Sequence, residues 1–123
     1  MTVTIPAAGW QIFTDVSPEW LFLRLARCET EADSSPPIAE SAWNLAAENG
    51  VKRLVVEIDD GTLLSSYLIG QLVLLHKRVV LNGGVLRLCG VSQQNYSIIE
   101  LMRLSDRLPN YKNREAAVNG FRS

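Results

Sequence analysis

Residues 52–91 read KRLVVEIDDGTLLSSYLIGQLVLLHKRVVLNGGVLRLCGV, and the order of signals in this stretch decides the fold class. The run from Lys52 to Ile58 is short, apolar and rich in β-branched residues. Gly50 bounds it on one side and Asp59-Asp60-Gly61 on the other, which predicts a central strand. A helix follows from about Ser65 to Leu81. Its core face is Leu64, Leu68, Leu72, Leu75 and Val79, spaced four, four, three and four apart. Asn82-Gly83-Gly84 ends that helix, because glycine accepts the left-handed conformation a helix terminus needs. VLRLCGV then reads as the next strand.

Working outward, WQIFTDV (10–16) and WLFLRLAR (20–27) predict two strands joined as a hairpin through Ser17-Pro18-Glu19. CETEADSSPPI reads as an exposed polar loop. Ser35 with Pro36 and Pro37 predicts a helix start, and Gly50 closes that helix after about Asn49. Ala39, Trp43, Ala46 and Ala47 give it an apolar side. Ser92 caps a third helix, QQNYSIIELMRL, and NREAAVNGF predicts a last one, with a short segment near Leu108 between them. The expectation is an α/β fold: a mixed β-sheet of about four to five strands with helices packed on it, as one domain over residues 1–123.

Composition narrows the function classes. The chain has 123 residues, 47% hydrophobic and 20% charged, enough for an independent core and unlike a disordered segment. Its formal net charge of −1 lacks the basic excess of a phosphate-neutralising protein, so nucleic acid is not expected as a partner. Arg103, Arg107, Lys112 and Arg114 cluster late in the chain and read as a solvated face. The two cysteines, Cys28 and Cys89, have no metal-ligand spacing, and Cys89 reads as a small buried hydrophobe. The start, MTVTIPAAGW, lacks the features of a signal peptide, and no apolar run is long enough for a membrane span. The expected setting is cytoplasmic with reduced thiols. Asn95-Tyr96-Ser97 fits a glycosylation sequon but carries no meaning in that setting.

The predicted second helix has two features that a packing role does not need. Ser65 and Ser66 stand where the first backbone N–H groups lack intrahelical partners. A serine hydroxyl accepting from one of them contributes about 1 kcal/mol, which accounts for one serine. A phosphate there would meet the positive end of the helix dipole and add about −1.5 to −2 charge. The helix is also apolar over more of its girth than one sheet requires, with Ile69, Val73 and Leu74 off the core face. Ser66, Gly70, Val73 and Lys77 form a second stripe whose small residues allow a close approach, by a neighbouring helix or by a partner.

From residue 52 onward the chain resembles the STAS domain, the anti-sigma factor antagonist fold. The carriers are LVVEIDDGTLLSSYLIGQLVLLHKRVVLNGGVLRLCGVS and the later IIELMRLSDRLPNYKNREAAV. They follow the family order of strand, Asp-Ser-Ser-Gly loop, apolar helix, Gly-Gly turn, strand and closing helices. The resemblance covers about two-thirds of the chain. It implies a protein-binding module, not an enzyme, whose partner is a kinase-like anti-sigma factor and whose binding ends when the first loop serine is phosphorylated. That serine corresponds to Ser65, with Ser66 as the second candidate. The implied partner surface is Asp59, Asp60, Leu64, Ser65, Ser66, Tyr67, Ile69, Gly70, Val73 and Lys77. Leu64 stands where the family has Asp, and Tyr67 where it has Gly, so the surface a kinase would read is altered. Some family members lack the phosphosite and serve as constitutive subunits, including small partners of lipid-transport ATPases. A homodimer is a further possibility.

Other residues point away from catalysis. Asp59-Asp60 reads as a turn and solvated edge, not a metal site. His76 is the single histidine and reads as a surface or half-buried packing residue. The sequence has no GxxxxGK, HExxH, GxGxxG or GxSxG motif. No cofactor or metal is expected. Trp10, Trp20 and Trp43 read as core anchors, with Trp20 expected to be partly exposed.

Overall fold

The computed structural model describes residues 2–7, 10–27, 37–59 and 64–120. Along the chain lie β1 (Thr2–Ala7), β2 (Trp10–Val16), β3 (Trp20–Arg27), α1 (Ile38–Glu48), β4 (Arg53–Ile58), α2 (Ser66–Leu81), β5 (Val85–Cys89), α3 (Gln93–Leu101), β6 (Asn110–Tyr111) and α4 (Arg114–Asn119). The sheet is six-stranded, in the order β1-β2-β3-β4-β5-β6. The β1–β2 and β2–β3 pairings are antiparallel, and every later pairing is parallel. The mixed α/β architecture is as expected. The strand count exceeds the expected four to five because Thr2–Ala7 forms an edge strand and Asn110–Tyr111 a two-residue one.

The alternation of each strand sorts its side chains onto two faces. Ile12, Leu21, Leu23, Leu25, Leu54, Val56, Ile58, Leu86 and Leu88 point to the main core. There they meet Ile38, Ala42 and Ala46 of α1, the predicted stripe of α2, and Ile99 of α3. Leu68, Leu72, Leu75 and Val79 are fully buried, as their spacing requires. Trp43 packs half-buried against this core.

The opposite face carries a smaller cluster of Trp20, Val55, Cys89, Tyr111 and Ala117, flanked by Phe22, Ala116 and Val118. Trp20 is only 6% exposed, which corrects the expectation of a partly exposed ring. It opens β3, but Arg53 and Arg87 lay their guanidinium groups over it, 5.8 and 5.6 Å from its centroid. The side chain of Trp10 and all of Cys28 lie outside the described residues. Cys89 is buried, and burial pushes its thiol up to about 12.

The ends of the helices show how local sequence and long-range contacts divide the work. Gly83 adopts φ +78, and its N–H donates to Val80 O at 3.0 Å. Gly84 is needed for a different reason: a Cβ there would collide with the Lys52 carbonyl oxygen, where the chain enters β5 beside β4. Ser92 caps α3 by accepting from the Asn95 N–H at 3.2 Å. By contrast, the N-cap residue of α1, Pro37, supplies no side-chain cap. Its Ala39 N–H is satisfied by Gln71 Oε1 of α2 at 2.9 Å, while Ser35 and Pro36, expected to start the helix, lie outside the described residues.

Candidate functional site at the start of α2

Ser65 is the N-cap of α2. Its backbone is extended (φ −75, ψ 163), and its Oγ accepts from the Leu68 N–H at 3.2 Å. The Ser65 carbonyl accepts from the Ile69 N–H at 3.0 Å, so the first turn closes properly. Ser65 is half-buried, and Ser66, the first helical residue, is exposed. The first turn of α2 carries no acidic side chain to oppose an added anion. The residue before the cap is held from a distance: the Leu64 N–H donates to Asn95 Oδ1 of α3 at 3.4 Å. Asn95 is itself nearly buried, which removes the sequon of which it is part from the surface.

Of the implied partner surface, Ser66, Gly70 and Lys77 are exposed, and Asp59, Ser65, Tyr67 and Val73 are half-exposed. Leu64 and Ile69 are corrected: at 2% and 1% exposure they are core residues and reach a partner only through their neighbours. Leu64 takes the helix's own core face, and Ile69 points to the flank where the main core continues. Asp60 lies outside the described residues. Asp59 pairs with Arg24 at 2.8 Å, between groups both substantially exposed. Burial raises the Tyr67 phenol above its ordinary range, so it stays protonated at neutral pH. Gly70 has nothing within 4 Å of the position a Cβ would take, so no contact among the described residues calls for glycine there.

Among the described residues no group of three His, Cys, Asp or Glu side chains could hold a metal ion. His76 is half-buried on α2, and burial first, then Arg107, lowers its affinity for a proton. Arg103, Arg107 and Lys112 are exposed as expected. Arg114 is a correction: its Nε donates to Glu57 Oε1 at 3.2 Å, Asp15 lies 3.8 Å from its Nη1, and it stacks 5.2 Å from the Phe22 centroid.

Sequence reasoning missed the layer to which Arg114 belongs. Phe13, Arg24, Glu57, Cys89 and Tyr111 stand in one cross-strand row, and Asp15, Phe22, Val55 and Arg87 in the next. The signal was present in WLFLRLAR, where Trp20, Phe22 and Arg24 share one parity and the leucines the other. Beside α2 lies a shallow groove of about 380 Å³ between α1 and α2, lined by Ala39, Glu40, Gln71, Leu74, Lys77 and Leu81. Leu74 and Leu81 are 54% and 80% exposed.

The comparisons with known proteins agree with this architecture. The family profile of the STAS domain matches residues 26–117, three-quarters of the chain, and the chain belongs to that family. Among solved structures it is similar to the NMR structure of the protein TM1081, with a TM-score of 0.69 and 13% identity over 86% of this chain and 84% of that one. At that identity the likeness shows the fold. No curated protein matches. No helix among the described residues is long and apolar enough to cross a membrane.

Proposed function

We propose that the chain is a regulatory protein-binding module of the anti-sigma factor antagonist type, acting in the cytoplasm and without catalysis of its own. It binds a kinase-like anti-sigma factor through the start of α2, and phosphate on Ser65 ends the binding. The observation that carries this reading is the position of Ser65. Its half-exposed hydroxyl caps an apolar helix, beside an exposed stripe of Ser66, Gly70 and Lys77. A phosphate in that place keeps an acceptor for the first-turn N–H groups, so the monomer tolerates it. A partner packed against the stripe would have to bury a dianion, at a cost of several kcal/mol.

A second reading is a constitutive, unphosphorylated subunit, for example of a lipid-transport ATPase assembly. Its support is the pair of departures in the loop. Leu64 is a core residue where the family has a carboxylate, and Tyr67 places a ring where the family has glycine. The exposed Leu74 and Leu81 beside the groove add apolar surface of the kind a permanent subunit covers.

One experiment separates them: capture from the native host's lysate with wild type, Ser65→Ala and Ser65→Asp, with intact-mass analysis of the recovered chain. The switch requires that wild type and Ser65→Ala retain a kinase-like protein, that Ser65→Asp does not, and that phosphate is found on Ser65. Equal recovery of one partner by all three, with no phosphate, overturns the switch and leaves Ser65 as a helix cap in a constitutive subunit.

A further inference from the structure

Away from the α2 site, the second face of the sheet is closed in part by α4, a helix of six residues. A helix this short does not sustain itself in water and depends on its attachments. Among the described residues its apolar anchors are small: Ala117 is buried, and Ala116 and Val118 are half-buried. The other contacts described for it are polar. From β5, Arg87 Nη1 donates to the Ala117 carbonyl at 2.6 Å and, more weakly, to Val118 O at 3.4 Å. The same guanidinium lies 5.6 Å from the Tyr111 centroid and beside Gly120, which ends α4 in the left-handed conformation. At the other end Arg114 reaches Glu57 and Asp15. These partners are partly exposed, so water can replace each contact as α4 leaves. The helices on the main core are anchored differently, by fully buried Leu68, Leu72, Leu75 and Ile99.

We infer that α4 is a releasable strap: it undocks as a unit while the sheet and α1–α3 stay folded, uncovering the aromatic face of Trp20, Phe22 and Tyr111 with Cys89 among them. The remaining face is self-supporting. Its rows are fixed by the strand register, and Arg53 covers Trp20 without help from α4. Proteins open in cooperative units of unequal stability, and a short element on small anchors belongs to the least stable class.

Cys89 reports the opening. Its thiol is buried and almost wholly protonated in the closed state, so a disulfide reagent reacts once it is uncovered. The experiment labels the Cys28→Ser protein with 5,5′-dithiobis(2-nitrobenzoic acid) across a urea series below the unfolding transition. The Cys89 thiolate attacks the reagent disulfide and releases one thionitrobenzoate, which is counted by absorbance. The strap requires labelling with a urea slope less than about half that of global unfolding, since little surface is exposed, while far-UV circular dichroism is unchanged. Arg87→Met, which removes the charged hydrogen bonds to α4, should speed labelling about tenfold or more. Labelling that follows the full slope of global unfolding overturns the inference, and that readout does not depend on the folding of the Arg87 variant.

Discussion

Gly70→Ala tests both the geometry of α2 and the use made of its outer stripe. Gly70 lies inside a sixteen-residue helix, with ordinary helical backbone and an exposed position. Glycine there costs about 1 kcal/mol relative to alanine, because it loses more backbone freedom on folding. An added Cβ meets nothing within 4 Å, so no overpacking offsets the gain. The variant should be more stable by about 1 kcal/mol, which corresponds to about 3–5 °C in Tm for a domain of this size. In urea the midpoint should rise by about 0.5 M at constant slope. Thermal and urea unfolding followed by circular dichroism measure both. An unchanged or lowered midpoint would refute the open helical setting assigned to Gly70. The same variant should bind its partner at least about fivefold more weakly if a partner backbone approaches the stripe closely, since overpacking costs at least about 1 kcal/mol. A more stable protein with weaker binding would place the role of Gly70 outside its own chain.

Three further outcomes follow from named contacts. Ser65→Ala should lose about 1 kcal/mol in urea unfolding, whereas Ser65→Asp, which still offers an oxygen to the Leu68 N–H, should stay close to wild type, so that loss of binding in the Asp variant is not loss of fold. Arg103 holds φ +57 at the end of α3, where the Leu104 N–H returns to Ile99 O at 3.0 Å, and Arg103→Gly should raise stability by about 1 kcal/mol in the same assay. His76 binds its proton less readily in the folded state than its ordinary value of 6.5, first from burial and then from Arg107. The unfolded chain therefore takes up the proton first as pH falls, so the His76 contribution is intact above 6.5 and is lost as pH drops from there through the lower folded value. Urea midpoints measured at pH 7.5 and pH 5 should diverge less in His76→Gln than in wild type.

The parts of the fold legible in the sequence are those set by neighbours in the chain. The period of α2, its Ser65 cap, its Asn82-Gly83-Gly84 end and the β-branched run of β4 each depend on residues a few positions apart. What was illegible depends on residues far apart. The Ala39 N–H in the first turn of α1 is satisfied by Gln71, thirty-two positions further along the chain. Thr2–Ala7 contains two threonines and a proline and becomes a strand through its pairing with β2. Trp20 reads as a core anchor left partly exposed because it opens a strand, and its burial comes from the second-face cluster and the arginines of two other strands. At the candidate site the serines were legible as a cap. Leu64 was legible as the first residue of the core-face stripe, but the burial of Ile69 was not, because it lies off that stripe on a flank of α2 that the main core also covers.

The hydrogen bond from Leu64 to Asn95 bears on how any enzyme could recognise Ser65. The backbone just before the cap is anchored by a side chain thirty-one positions later in sequence, on another helix. A synthetic peptide copied from residues 59–77 would contain every letter around Ser65 and lack that anchor, along with the sheet that orders the helix. If Ser65 is modified in this arrangement, the modifying enzyme would meet a folded shape and not a linear word, and its selectivity would survive changes in the flanking letters that leave the shape intact.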